Sequence, residues 1–105
     1  MTLRGKKLGI LLSTRPDEPA FGHGISLAGT ALAQGVDVYL YCIDDAVLGV
    51  GDTRLQTLKD QGLKLFACAY GAQRRHVAIS NAATFAGLTV VSDLVCGTDR
   101  FVSFN

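Results

Sequence analysis

Leu63-Lys64-Leu65-Phe66-Ala67-Cys68-Ala69-Tyr70-Gly71-Ala72-Gln73-Arg74-Arg75-His76 is the stretch that decides the fold. Its first five residues form a short, mostly apolar run, read as a buried strand over Leu63–Ala67. Small residues follow at Ala69, Gly71 and Ala72, then a basic segment, and Ala69–His76 reads as a helix. The chain therefore passes from strand to helix with the Cys68 thiol at the junction. Strands that hand over to helices in this way are the building unit of a parallel sheet. Backbone N–H groups at a helix start favour negative charge, and the thiolate is the nucleophilic form of cysteine. Cys68 is the candidate nucleophile; the competing reading is a small buried apolar residue.

Working outward, the same alternation recurs. Lys7–Ser13 is a largely apolar run, expected as a buried strand. Thr14–Ala20 holds two prolines and three charges and reads as a loop. Phe21, Ile25, Ala28 and Leu32 fall on one face of a helix over Phe21–Gln34, which Gly35 ends. Val36–Ile43 is the next strand and Asp44–Gly51 a loop. Asp52 caps a helix running through Gln61, with Leu55 and Leu58 on its buried side and Gly62 as its stop. Beyond the thiol, Ser80 or Asn81 caps a short helix ending near Gly87. Leu88–Val91 reads as a strand or extended loop, Ser92–Cys96 as a brief helical turn, and Arg100–Phe104 as a closing strand. The expected fold is α/β: a three-layer α/β/α sandwich around a mostly parallel sheet of about five strands, with right-handed crossovers.

Bulk properties narrow the function. A chain of 105 residues, 49% of them hydrophobic, suits one domain spanning residues 1–105 with a well-filled core. Ten Lys and Arg stand against nine Asp and Glu, with no basic stripe, so direct nucleic-acid binding is not expected. No apolar run approaches the roughly 18 residues of a membrane span. The basic start Met1–Lys7 does not make a signal peptide. The apolar part Leu8–Leu12 is too short, and Arg15-Pro16-Asp17-Glu18-Pro19 stands where a cleavage site belongs. The three cysteines are widely spaced and form neither a zinc pattern nor a disulfide framework. A reducing cytoplasm is the simplest compartment.

Sites in such folds form outside the carboxyl ends of the strands. Those ends are expected at Thr14–Ala20, Cys42–Gly51, Cys68–Gly71 and Val91–Thr98, which puts Cys42, Cys68 and Cys96 on one rim. Cys42 reads as a core residue. Cys96 reads as packing, with resolution of a persulfide on Cys68 as the competing role. The backbone amides of Ala69, Tyr70 and Gly71 are the nearest influence on the thiol. Arg74 and Arg75 are expected roughly 10 Å along the helix axis, where their charge is largely screened. Gly22-His23-Gly24 lacks the lysine and spacing of a phosphate loop. His23 and His76 have no second ligand beside them. Asp44 and Asp45 read as a solvated loop, with metal binding or substrate orientation as the alternative. No metal site is expected.

Taken in order along the chain, these residues resemble the DsrE/DsrF-like sulfur-relay family. Phe21, Ala28, Ala31-Leu32, Gly35-Val36-Asp37-Val38-Tyr39 and Asp45-Ala46-Val47 are similar to its first helix, glycine turn, second strand and acidic loop. Cys68–Val77 is similar to its active-site stretch, a cysteine followed by small residues and then Arg74-Arg75. Asp99–Phe104 is similar to its closing strand. The chain departs in carrying Ala46 where a glycine is common and in a shortened Val91–Asp99 segment.

The resemblance implies a cytoplasmic α/β protein that assembles as trimers or hexamers, without metal or organic cofactor. It implies a sulfurtransferase-type relay. Cys68 would accept sulfane sulfur as a persulfide, with Ala69, Tyr70, Gly71, Arg74, Arg75 and Cys96 in support. Its partners would be sulfur donor and acceptor proteins. Relatives without the cysteine make a non-catalytic subunit of a homo- or hetero-oligomer the first alternative. Three rim cysteines make a thiol redox sensor the second.

Overall fold

Five short strands carry the chain, and each lies parallel to its neighbours. The computed structural model describes residues 2–105, so Met1 of the basic start lies outside the described residues. The element order is β1 (Lys7–Leu12), α1 (Pro19–Ala33), β2 (Asp37–Cys42), a 3-10 helix (Asp44–Gly49), α2 (Thr53–Asp60), β3 (Lys64–Cys68), α3 (Ala69–Arg74), β4 (Thr84–Ala86), α4 (Thr89–Gly97) and β5 (Arg100–Phe104). The sheet runs β4-β3-β2-β1-β5. Ile10 pairs with Leu40 on one side and Val102 on the other, and Leu40 pairs with Leu65.

Alternation along the strands builds two cores. On one face Ile10, Leu12, Val38, Leu40, Cys42, Leu65 and Ala67 meet Phe21, Ile25 and Ala28 of α1 and Leu55 of α2. On the other, Tyr41 and Cys68, with the partly buried Leu11 and Phe66, meet Ala72 of α3, Leu94 of α4 and Val47 of the 3-10 helix. The expected three-layer α/β/α architecture is what the chain forms. Gly35 and Gly62 end α1 and α2 with φ of 82° and 114°, a backbone region that disfavours any side chain. Asp52 caps α2 as expected, its carboxylate accepting the Arg54 N–H at 2.8 Å.

Four local expectations are corrected. First, α1 starts at Pro19 rather than Phe21, because proline fits the first helical turn, where no N–H is needed. Second, Asp44–Gly49 is not an open loop but a 3-10 helix that buries Ala46, Val47 and Gly49. Third, the helix expected from Ser80 or Asn81 to Gly87 is absent, and Thr84–Ala86 joins the sheet as β4. Gln56 Nε2 donates to the Ala82 carbonyl and Lys59 Nζ to that of Asn81, both at 2.8 Å. These two α2 side chains hold the approach to β4 without local periodicity to announce it. Fourth, Leu88–Val91 is not extended. Thr89–Gly97 is helical, and the spacing of Val90, Val91 and Leu94 lets the helix pack on the sheet despite β-branched residues. Among the described residues, no helix is long and apolar enough to cross a membrane.

Candidate functional site

Cys68 ends β3 and caps α3. Its Sγ accepts the Gly71 N–H at 3.3 Å, taking the place that a serine or aspartate oxygen usually fills at a helix start. Gly71, three residues on, has little room for a side chain. A Cβ on Gly71 would sit 3.3 Å from Val47 Cγ2 and 3.5 Å from Cys68 Cβ, so bulk there would press on the thiol's own packing.

The residue is only 5% exposed, yet its side chain borders an open cleft of about 350 Å³ at the carboxyl rim of the sheet. Ile43 and Asp44 follow β2 into this cleft. Gly71, Tyr70, Arg74 and Arg75 come from α3 and its end, and Leu88 from the β4–α4 junction. Cys68 is thus at once a member of the second core and a lining residue of this cleft.

Both arginines line this cleft together with Cys68. Arg75 Nε donates to Asp45 Oδ1 at 3.0 Å, and Arg75 Nη1 reaches the Gly71 carbonyl at 3.5 Å. This pair ties the end of α3 to the 3-10 helix, so Asp45 is not simply solvated. Arg74 Nη1 donates to the Tyr70 hydroxyl at 3.0 Å, and its guanidinium lies 5.7 Å from that ring's centroid. Asp44 holds a left-handed backbone, φ 53°, where it enters the cleft.

Beneath the thiol lies Tyr41, which sequence reading did not single out. It is fully buried, and its hydroxyl donates to the carbonyls of Ala86 at 3.0 Å and Gly87 at 3.3 Å. Burial, and then the neighbouring Cys68 thiol, push its phenol well above the ordinary range. The ring is the link between β2 and the junction that carries Leu88. The available signal was the alternation Tyr39-Leu40-Tyr41-Cys42, which puts Tyr41 on the face opposite Cys42. No local signal announces Leu88, because its place depends on β4 pairing with β3.

Two of the three cysteines share the expected rim. Cys42 ends β2 beside the end of β3, but it is wholly buried on the other face of the sheet from Cys68, and burial pushes its thiol up to about 12. Cys96 is exposed near the end of α4, a nine-residue helix that carries the chain about 13 Å away from the carboxyl rim. Three residues later the Asp99 N–H bonds to the Lys7 carbonyl, at the start of β1. Cys96 therefore stands at the amino rim, because α4 returns the chain to begin β5.

The other candidates take structural places. Gly24 packs against Leu12 where a Cβ would collide, which accounts for one glycine beside His23. His76, with φ 57°, is an exposed turn residue after α3. A larger cavity, about 450 Å³, lies at the amino rim among Leu8, Leu27, Val36 and their neighbours and holds no thiol. No cluster of three or more His, Cys, Asp or Glu side chains suited to a metal occurs among the described residues.

No family model matches the chain, and no curated protein matches it by sequence. Among solved structures, the YchN protein from E. coli aligns with a TM-score of 0.82 at 16% identity, covering 95% of this chain and 99% of that one. The likeness establishes a shared fold over nearly the whole of both chains.

Proposed function

We propose that this protein is a DsrE/DsrF-like sulfur carrier that accepts sulfane sulfur as a persulfide on Cys68 and passes it to a partner protein. The observation that carries the reading is the position of Cys68, lining a cleft on the carboxyl rim, with the Gly71 N–H directed at its Sγ. The fold shared with YchN and the family-like Cys68–Val77 stretch support it.

The chemistry is a thiol–persulfide exchange. The Cys68 thiolate attacks the outer sulfur of a donor persulfide, a new S–S bond forms, and the donor leaves as a thiol. There is no net oxidation, and the exchange itself needs neither metal nor organic cofactor. The Gly71 N–H steadies charge on the sulfur. Ile43 and Leu88 give the cleft apolar walls, and Tyr70, Arg74 and Arg75 form its mouth. Ala69 keeps the first turn of α3 small beside the thiol. In this reading donor and acceptor proteins meet the chain at that mouth, within assemblies of three or six copies in the cytoplasm.

Exposed apolar side chains favour one second reading, a non-catalytic subunit of an oligomer. Tyr70, Ile79, Leu88 and Val95 are all more than half exposed. The redox-sensor alternative has less support. Cys42 points to the opposite face from Cys68 and Cys96 stands at the opposite rim, so neither is placed for a disulfide with it.

Intact-mass measurement after incubation with a persulfide donor tests the proposal. The expected result is a gain of about 32 Da, one sulfur, that disappears in Cys68→Ser. Equal loading of Cys68→Ser would remove Cys68 from the reaction. No loading of either protein would leave the subunit reading.

A further inference from the structure

Helix α3 has little of its own to hold it in place. It is six residues long, and the residues it buries are Gly71 and Ala72, which contribute little apolar surface. Yet its first turn supplies the N–H that reaches Cys68 Sγ at 3.3 Å. One side chain joins this turn to a neighbouring element. Arg75 Nε donates to Asp45 Oδ1 on the 3-10 helix at 3.0 Å, while Nη1 of the same guanidinium reaches the Gly71 carbonyl at 3.5 Å. The contacts close around Gly71. A Cβ there would lie 3.3 Å from Val47 Cγ2 of the 3-10 helix, 3.5 Å from Cys68 Cβ and 3.7 Å from Arg75 Nη1. Gly71 is therefore wedged between the 3-10 helix, the thiol residue and the guanidinium, with no side chain of its own to fix its orientation. Arg74 makes no such link, since its guanidinium goes to the Tyr70 hydroxyl on the same helix.

We propose that Asp45 and Arg75 are positioning residues for Cys68: their ion pair clamps the first turn of α3 to the 3-10 helix and so keeps the Gly71 N–H on the sulfur. The inference rests on the sulfur-carrier reading and adds the device that orients the thiol's hydrogen bond. Both side chains act through Gly71 rather than on the sulfur. The two contacts leave the guanidinium from separate nitrogens, which a planar fork makes at once and a lysine ammonium on a flexible stem does not hold together. Arg75 is 28% exposed and Asp45 52%, so the pair adds little to global stability. Its effect is local, because the helix it clamps buries so little by itself.

Residue-resolved amide hydrogen exchange on the full chain tests this, alongside the rate of Cys68 loading from glutathione persulfide, followed by intact mass. Exposed ion pairs are individually weak, so Asp45→Ala and Arg75→Gln should each speed exchange of the Gly71 amide about threefold and slow loading by a similar factor. Arg75→Lys should behave like Arg75→Gln, because it keeps the charge and loses the fork. The Leu40 amide, in the middle of the sheet, should exchange at the same rate in all of them. Unchanged Gly71 exchange, an equal rise at Leu40, unslowed loading beside faster exchange, or a lysine variant that matches the unaltered protein would each overturn the assignment. If Gly71 responds as expected while the unaltered protein takes up no sulfur, the clamp stands and the sulfur-carrier reading falls.

Discussion

Tyr41→Phe isolates the contact that holds the thiol cleft together. The substitution keeps the ring that fills the second core and removes only the hydroxyl. That hydroxyl reaches two carbonyls, Ala86 at 3.0 Å and Gly87 at 3.3 Å. The Gly87 carbonyl keeps a second donor, the Val90 N–H at 3.2 Å, so the loss falls mainly on Ala86 at the end of β4. Losing one part-buried hydrogen bond costs about 1–2 kcal/mol. In a domain of this size each kcal/mol lowers Tm by about 4–8 °C, so a drop of about 5–15 °C is expected. The second effect is local. The β4 end and the Leu88 wall are tied to β2 through this bond, so Cys68 should be alkylated several-fold faster by iodoacetamide, while Cys42 stays protected. Thermal denaturation and peptide-resolved alkylation give the two readings. Tyr39→Phe is the control: that phenol makes no hydrogen bond among the described residues, and the change should stay within about 0.5 kcal/mol. The reasoning fails if Tyr41→Phe melts with the unaltered protein and Cys68 reacts at the same rate.

Two further outcomes follow from charge and burial. Burial raises the Cys42 thiol from an ordinary 9.0 to about 12, so the folded chain keeps a proton that the unfolded chain loses. Its stabilisation is whole below about pH 8.5 and drains away as pH rises towards 12, and Cys42→Ala should flatten the alkaline limb of a urea-denaturation series. Asp52 behaves with the opposite sign. Its hydrogen bond to the Arg54 side chain holds its carboxyl below the usual range, so its contribution is present above about pH 4 and lost as pH falls through the lowered value. Asp52→Ala should cost about 1 kcal/mol at neutral pH through loss of the α2 cap, and the two proteins should converge on acidification. A gap that stays constant to pH 2 would mean that the carboxylate is not the stabilising group.

Much of this fold is legible locally. The runs over β1, β2 and β3 announce buried parallel strands, and the face made by Phe21, Ile25 and Ala28 announces α1. Gly35, Gly62 and Asp52 mark where helices stop and start, because φ and capping demands are properties of single residues. What fails to read is the region after α3. A three-residue strand has too few alternations to carry a pattern, and Thr84–Ala86 becomes a strand only because Phe66, Ala67 and Cys68 stand beside it. Thr89-Val90-Val91 has the composition of a strand, and packing against the second sheet face overrides it.

The candidate site divides in the same way. A thiol at the strand–helix junction, small residues after it and two arginines beyond are a statement about consecutive residues, and consecutive residues determine it. That Tyr41 lies under the thiol, that Leu88 walls it, that Asp44 and Arg74 face one space and that Cys96 stands at the far rim are decided only by the tertiary structure. Each depends on which strands are neighbours: β4 beside β3, and β5 beyond β1. Strand order is set by burying both faces of the whole sheet at once, and no local run of sequence carries that sum.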